Sequence, residues 1–185
     1  PFQFELVIKY SIEKDKLTVR YIVKNISEGD MYFSIGGHPA FNVPLVEGTE
    51  YTDYYLEFNK DEILPRWPIS SEGLIEKIPE PFLQSGNILS LNKELFYKDA
   101  LVFKNPASSM IFLLSNKTNH GLHFNFSGFP YLGIWAAKNA DFVCIEPWCG
   151  IADSVHSDQQ IINKEGINKL SAGEIFERKW IASFY

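Results

Sequence analysis

A chain of 185 residues with 45% hydrophobic and 15% aromatic residues can bury one sizeable core, and is too short to predict two domains. The net charge of −6, without a block of Lys or Arg, argues against a phosphate-binding surface, so no nucleic-acid partner is expected. No run approaches the roughly 20 apolar residues of a membrane span, so no membrane partner is expected either.

Period-two alternation in the first part of the chain predicts a β-hairpin followed by a third strand. Phe4–Tyr10 and Leu17–Val23 alternate apolar with polar residues, and the polar run Glu13–Lys16 separates them as a turn. After a second turn, Met31–Ile35 is predicted to be a strand. Because the chain lacks an initiator methionine and enters its first strand almost at once, we expect a piece of a longer sheet with an unpaired edge.

The middle of the chain contains too many prolines for a long helix. Tyr54–Phe58 is predicted to be a strand, and short edge strands, one around Leu74–Ile78, are expected in the proline-rich stretch that follows. Ser90 is predicted to cap a single helical turn at Leu91–Phe96. This stretch is expected to connect two groups of regular strands.

Short apolar runs separated by turns predict six more strands. They are Ala100–Lys104, Met110–Ser115, Leu122–Phe126, Leu132–Ala136, Phe142–Glu146 and Ile175–Phe184. A spacing of about 8–12 residues is typical of a sandwich or barrel. No window carries a helical stripe and no linker divides the chain. The sequence therefore predicts one all-β domain, residues 1–185, built as an antiparallel sandwich.

His38 and Glu146 are the strongest candidates for acid–base chemistry. His38 lies between two glycines and Pro39, which favour a loop that fixes the side chain's direction. A histidine titrates near neutral pH and suits a general acid, although a structural histidine bonded to backbone is an equal alternative. Glu146 ends an apolar run, and burial there raises a carboxyl pKa towards the range of a general base.

The other titratable residues give weaker signals. Asp99 precedes a predicted strand, where an aspartate is usually a turn residue. His120 and His123 point in different directions and no third ligand completes a set, so no metal site is expected. Cys144 and Cys149 predict buried thiols without a disulfide framework, which favours the cytoplasm. The sequence has no glycine-rich phosphate loop and no nucleotide-binding fingerprint.

The runs Gly36–Asn42 (GGHPAFN) and Cys144–Asp153 (CIEPWCGIAD) together resemble the aldose 1-epimerase (galactose mutarotase) family. The resemblance is to its bacterial branch of mutarotase-like proteins, found with lactose and galactose genes. Pro1–Phe4, Tyr131–Trp135 (YLGIW) and Leu170–Glu174 (LSAGE) also fit that branch. The similarity therefore runs along nearly the whole chain, and the two motifs in this order are specific.

This resemblance implies a galactose mutarotase-like β-supersandwich that interconverts α and β anomers of a free hexose such as galactose or glucose, without cofactor or metal. The position of Glu146 would take the proton from the C1 hydroxyl as general base. The position of His38 would protonate the ring oxygen as general acid. The expected substrate-binding residues are Asp99, Trp148, Trp135 and Asn42.

Members of the family are longer at the front, and that part carries an arginine and a further histidine of the site. The chain resembles the C-terminal two-thirds of such an enzyme, which leaves the activity of this part alone open. A non-catalytic carbohydrate-binding protein on the same scaffold is an alternative. A hexose-6-phosphate 1-epimerase is another, with Arg66 as a contributor to a phosphate pocket. The expected partner is a monosaccharide, and a homodimer is an open alternative.

Overall fold

Sixteen β-strands and three short 3-10 helices form the regular structure of the computed structural model, which describes residues 1–185. The strands are β1 (Phe4–Glu13), β2 (Lys16–Asn25), β3 (Met31–Phe33), β4 (Ile35–Gly36), β5 (Ala40–Asn42), β6 (Tyr54–Phe58), β7 (Leu64–Arg66), β8 (Glu80–Leu83), β9 (Ile88–Ser90), β10 (Leu101–Lys104), β11 (Met110–Ser115), β12 (Leu122–Asn125), β13 (Tyr131–Trp135), β14 (Phe142–Cys149), β15 (Asn168–Leu170) and β16 (Ile175–Phe184). The 3-10 helices are Tyr51–Asp53, Lys93–Phe96 and Ile161–Asn163. None of these helices has the length and apolar character that crossing a membrane requires. The predicted all-β class is confirmed.

The larger sheet has seven antiparallel strands in the order β1-β2-β16-β12-β11-β6-β9. The hairpin of β1 and β2 is continuous, from Phe4 opposite Asn25 to Glu13 opposite Lys16, and confirms the predicted hairpin. The C-terminal strand β16 lies between β2 and β12, so the two ends of the chain meet in one sheet. Two small two-stranded sheets, β15-β3 and β7-β8, lie outside it.

The smaller sheet has five strands and is centred on β14. Its order is β10-β13-β14-β4, and β5 pairs with β14 on the same side as β4 does. The connection between β4 and β5 therefore runs along the middle of β14. This connection contains His38.

The two large sheets pack against each other through one apolar core. Phe124 and Trp180 reach it from the larger sheet, and Leu132 and Ile145 reach it from the smaller one. Successive residues of a strand point to opposite faces, so Glu146 points away from this core on the other face of β14. The alternation that builds the sandwich therefore also leaves a second, outer face on the smaller sheet.

Strand β1 lies at the edge of the larger sheet, and all ten of its residues are exposed. Five apolar side chains on one face of this strand are each at least 44% exposed: Phe4, Leu6, Ile8, Tyr10 and Ile12. They share that face with Val19 and Tyr21 of β2, which are buried in the core. The core of the sandwich is therefore open along β1.

The predicted strand Met31–Ile35 is wrong as a single element. Its first part, β3, pairs with β15, whereas its end continues as β4 and pairs with β14 in the smaller sheet. Alternation determines which face a residue takes, but it does not determine the partner strand. The chain changes sheets at Ser34, and this change delivers the loop of His38 to the smaller sheet.

The prediction of a strand around Leu74–Ile78 is also wrong. Only Ile75 makes bridges there, one with Ile69 and one with Ser154, and both are isolated. The strands of this proline-rich stretch are β7 and β8 on either side of it. A strand forms only where a second segment pairs with it in register over several residues. Residues 74–78 have no such partner apart from the two isolated bridges of Ile75.

The predicted helical turn exists, but its cap is Asn92 and not Ser90. The Asn92 side-chain oxygen accepts a hydrogen bond from the backbone N–H of Leu95 at 3.0 Å, and the 3-10 helix begins at Lys93. Ser90 belongs to β9 and pairs with Tyr55 of β6. Both residues are good N-caps, so the strand pairing decides between them.

Truncation of Phe124 should destabilise the protein far more than truncation of Phe4. Phe124 is 0% exposed and packs on Phe41 and Trp180 at ring distances of 5.9 Å and 5.4 Å. Phe124→Ala is expected to lower the free energy of unfolding by about 3–5 kcal/mol, because it leaves a cavity in the core. Phe4→Ala is the control and should cost less than about 1 kcal/mol. Urea unfolding measures the free energy of unfolding of both variants. Equal decreases would show that Phe124 is not a core residue and Phe4 an exposed one.

Candidate active site

The candidate site forms where β14 changes partner from β5 to β4. Cys144 pairs with β5 and Trp148 pairs with β4, and both pairings keep one antiparallel register. In that register His38, midway between the two short strands, is aligned with Glu146, midway along β14. Two residues separated by more than a hundred positions in sequence thus become cross-strand neighbours.

Backbone hydrogen bonds keep this alignment across the gap between β4 and β5. The N–H of Gly37 donates to the carbonyl of Pro147 at 2.9 Å, and the N–H of Ile145 donates to the carbonyl of Pro39 at 3.3 Å. The residues between these bonds form a non-hydrogen-bonded pair, whose side chains approach most closely. His38 Nε2 accordingly lies 3.3 Å from Glu146 Oε1.

The two glycines before His38 provide space and do not bend the chain. A Cβ atom on Gly37 would lie 2.6 Å from Nε1 of Trp180 and 3.0 Å from the Tyr21 hydroxyl. A Cβ atom on Gly36 would lie 2.6 Å from Cδ1 of Trp148. Neither glycine has a positive φ. Both positions require glycine because aromatic side chains occupy the space that a Cβ atom would need.

Glu146 is buried, whereas its partner is exposed. The side chain of Glu146 is 7% exposed and that of His38 is 62% exposed. Burial raises the pKa of Glu146 above its ordinary value of 4.5, and the negative charge of Asp99 acts in the same direction. His38 and the donor group of Trp148 lower this pKa, but by less than burial raises it. Glu146 therefore titrates closer to neutral pH than a solvated glutamate.

Two tryptophans flank the pair. The ring of Trp135 meets the ring of His38 edge-on, with 5.8 Å between centroids. The indole of Trp148 lies over Gly133, where an added Cβ atom would come within 2.4 Å of it. Both tryptophans are half-buried, so part of each ring faces solvent. Aromatic faces of this kind suit the C–H faces of a sugar ring.

Asp99 and Asn42 lie at the margin of the site. Asp99 is exposed with a positive φ of 100°, and its carboxylate accepts a hydrogen bond from the N–H of Ala100 at 2.7 Å. It is thus a turn residue, and its charge also reaches Glu146. Asn42 is exposed on β5, opposite Phe142 and on the same face of the sheet as Glu146. The structure shows no hydrogen bond between Asn42 and the acid–base pair.

Cys144 is the residue of the site that sequence reasoning missed. It lies two positions before Glu146 on the same face of β14, and a donor atom from each of His38, Cys144 and Glu146 lies within 4.8 Å of the other two. Both cysteines are free and buried, as predicted. Burial, followed by the charge of Glu146, raises the pKa of the Cys144 thiol to about 12. The C-x-E spacing within a predicted strand was the available signal.

An apolar cavity of about 400 Å³ lies next to Trp148 on the outer face of the smaller sheet. Ile75, Val102 and Ile151 line it, and Lys164 lies at its side. The Lys164 ammonium is paired with Asp153 at 2.6 Å. Trp148 lines this cavity, whereas His38 and Glu146 do not.

The structure places four of the other five predicted site residues around the carboxylate of Glu146. His38, Trp148 and Asp99 each affect the environment of Glu146 directly, and Trp135 contacts His38. Asn42 shares the face of the sheet without touching them. Such an arrangement can accept a proton at a buried oxygen and donate one from an exposed imidazole.

The chain is similar in sequence and structure to several known proteins. The chain is 34% identical to the chromosomal form of protein LacX of Lactococcus lactis subsp. lactis over 174 residues. A galactose mutarotase related enzyme from Lactobacillus acidophilus superimposes on the whole chain with a TM-score of 0.88 and 28% identity. A galactose mutarotase-like protein from Lactobacillus casei does so with a TM-score of 0.89 and 28% identity.

The chain covers only part of each of these relatives. It spans 58% of the LacX protein, 62% of the L. acidophilus structure and 64% of the L. casei structure. The similarity to LacX includes 91% of the chain itself. The family model described as aldose 1-epimerase matches residues 1–166. The chain therefore belongs to the aldose 1-epimerase family.

Proposed function

We propose that the protein carrying this chain interconverts the α and β anomers of a free hexose, such as galactose or glucose, by acid–base opening of the ring. The observation that carries the proposal is the contact of 3.3 Å between an exposed imidazole and a buried carboxylate. Membership of the aldose 1-epimerase family supports chemistry of this class. The free sugar is the proposed partner, and the two free thiols are consistent with the cytoplasm as the proposed compartment.

The reaction requires proton transfers at two oxygens that are bonded to the same carbon. Glu146 takes the proton of the C1 hydroxyl while His38 protonates the ring oxygen, and the ring opens to the aldehyde. Rotation about the bond between C1 and C2 presents the other face of the carbonyl, and reversed proton transfers close the ring. Because both oxygens belong to C1, the acid and the base have to lie close together, as they do here.

The electrostatic environment suits these two roles. A carboxylate with a raised pKa is a stronger base than a solvated one and accepts a proton from a hydroxyl more readily. Burial raises the pKa of Glu146 in this way. The exposed His38 exchanges protons with solvent between turnovers. In the free site its contact with Glu146 keeps the imidazole in place until a sugar enters.

The remaining residues are proposed to hold the sugar. Trp135 and Trp148 offer half-buried aromatic faces beside the acid–base pair. Asp99 offers a carboxylate that can accept hydrogen bonds from sugar hydroxyls at a second position on the ring. Asn42 lies farther out along β5 and is proposed to contact the same ligand from its edge.

A phosphorylated hexose is less well supported as the substrate. Arg66, the cation considered for a phosphate group, donates from Nε to the carboxylate of Glu80 at 2.9 Å. Its charge is thus already compensated, and it belongs to the small sheet of β7 and β8. The free hexose remains the proposed substrate. A non-catalytic sugar-binding role is the second candidate function, and measurement of mutarotation distinguishes it from catalysis.

Removal of either proton-transfer group should abolish most of the activity. Glu146→Gln and His38→Ala are each expected to slow mutarotation by about a hundredfold to ten-thousandfold, the usual contribution of general acid–base catalysis. The decay of optical rotation of fresh α-galactose and α-glucose measures this in the protein carrying the chain. Glu47→Gln and His120→Ala change exposed residues outside the site and should leave the rate unchanged.

Unchanged rates in both site variants would overturn the assigned roles. Saturable sugar binding by the unmodified protein, without any faster decay of optical rotation, would favour the non-catalytic reading instead. Circular dichroism of each variant shows whether a lost rate reflects lost folding.

The acidic limb of the pH–rate profile should move in opposite directions in two variants. Glu146 acts as a base only when ionised, so kcat/KM falls as the pH falls through its raised pKa. Asp99→Asn removes a charge that raises this pKa, and the limb should move to lower pH. Trp148→Phe removes a donor that lowers it, and the limb should move to higher pH.

The quantity to compare is the pH at which the acidic limb lies, and not the height of the profile. Asp99 and Trp148 are also proposed to contact the sugar, so their substitution can change the height. Profiles of kcat/KM report groups of the free enzyme, so sugar contacts do not shift the limb. Movement of both limbs in one direction would show that Glu146 does not control the profile.

A further inference from the structure

Three different donor types meet at the site described above. One imidazole nitrogen of His38, the Cys144 sulfur and a Glu146 oxygen all lie within 4.8 Å of one another. We propose that these three residues bind Zn²⁺, and that the bound ion excludes the sugar and inhibits the enzyme. The acid–base chemistry proposed for His38 and Glu146 assigns no role to Cys144. Cys144, as a third donor, is therefore the feature that indicates an ion site in addition to a proton-transfer pair.

The distances are close to those of a zinc site. Zinc bonds of 2.0–2.1 Å at tetrahedral angles place nitrogen and oxygen ligands about 3.4 Å apart. His38 Nε2 and Glu146 Oε1 are already 3.3 Å apart. A zinc–sulfur bond of 2.3 Å requires the sulfur about 3.6 Å from the other donors, so the three donors have to approach one another by about 1.2 Å at most.

The scaffold allows this approach. Cys144 and Glu146 are two positions apart on one strand, so their side chains leave the same face of β14. Both are buried and held by the sheet, whereas the His38 side chain is 62% exposed and has room to move. His38 therefore moves to close the set. Its exposed side leaves a fourth position for water, as in zinc sites with three protein ligands.

The mixed donor set selects among ions. Nitrogen, sulfur and oxygen ligands together suit Zn²⁺ and Co²⁺, whereas Mg²⁺ prefers oxygen ligands alone in octahedral geometry. Binding replaces the S–H bond of Cys144 by a zinc–sulfur bond, and the proton leaves to solvent. No oxidant or reductant takes part.

The proposed ion and the proposed sugar would use the same two atoms of the site, so binding of one should prevent binding of the other. The nitrogen and oxygen that would hold the ion are the two atoms proposed to move protons at the sugar. An ion bound there makes His38 and Glu146 unavailable, and a sugar bound there blocks the ion. Zn²⁺ and hexose should therefore compete, so that each raises the apparent dissociation constant of the other.

Co²⁺ provides a direct test, because a thiolate bound to cobalt gives a near-ultraviolet charge-transfer absorption. Titration of the protein carrying this chain with Co²⁺ at micromolar concentration should produce this band, and Zn²⁺ should remove it. Cys144→Ala should lose the band. Cys149→Ala is the matched control, since the sulfur of this second cysteine of the chain points towards the carbonyl of Gly128 and into the core.

Affinity for Zn²⁺ is measured by competition with a chromophoric chelator. It should fall at least about tenfold in Cys144→Ala and in His38→Ala, because each removes a ligand. Cys144→Ser keeps the side chain's shape and serves if the alanine variant does not fold. Whatever mutarotation rate Cys144→Ala retains should be insensitive to Zn²⁺.

Several results would overturn the proposal. They are the absence of the cobalt band at micromolar ion, its survival in both Cys144 variants, its loss in Cys149→Ala, or equal binding of Mg²⁺. The absorption measurement does not depend on catalysis. Failure of the mutarotation assay without metal would contradict the proposed function and leave the ion site to be judged by its spectrum.

Discussion

The register of β14 against β4 and β5 is the constraint on which the site depends. A slip of one residue would turn Glu146 into the core and bring a neighbouring apolar residue opposite His38. Packing prevents the slip, because Ile145 is 0% exposed in the core beside the buried Glu146. Gly37 adds to the constraint, since only a glycine fits against the hydrogen-bonded pair of Trp180 and Tyr21. The packing that stabilises the sandwich therefore also aligns His38 with Glu146.

The same register gives the two groups opposite environments. β14 has neighbours on both sides, which buries Glu146, whereas His38 lies in a gap between two short strands and stays exposed. A buried carboxylate without partners would cost several kcal/mol, and His38 with Trp148 reduces that cost. Glu146, the proposed base, is thus held by the sheet with a raised pKa, whereas His38, the proposed acid, is exposed and free to follow a changing substrate. This division suits a reaction in which the sugar ring opens and rotates.

Sequence reasoning succeeded where the signal was local. Strands predicted from apolar runs between turns, such as Met110–Ser115 and Ile175–Phe184, have the predicted bounds. It failed where pairing with a segment distant in sequence determines the structure. Met31–Ile35 divides between two sheets, and Ser90 pairs within a strand and does not cap a helix as predicted. The meeting of His38 with Glu146 was inferred from two motifs in family order and not from spacing. Cys144 was assigned to burial alone, because nothing local shows which side chains lie across a sheet.

The outer face of β14 also limits where sugar selectivity can arise. Glu146 and His38 are proposed to act on the C1 hydroxyl and the ring oxygen, which all cyclic aldoses share, so this pair cannot distinguish one hexose from another. Trp148 is fixed between Gly36 and Gly133 and presents an apolar ring face without hydroxyl preference. Discrimination between epimers requires hydrogen-bonding groups farther from C1. Asp99 is the charged residue proposed to contact the sugar at a second position on the ring. It lies in a turn before β10, and a loop of this kind can vary without disturbing the register of β14.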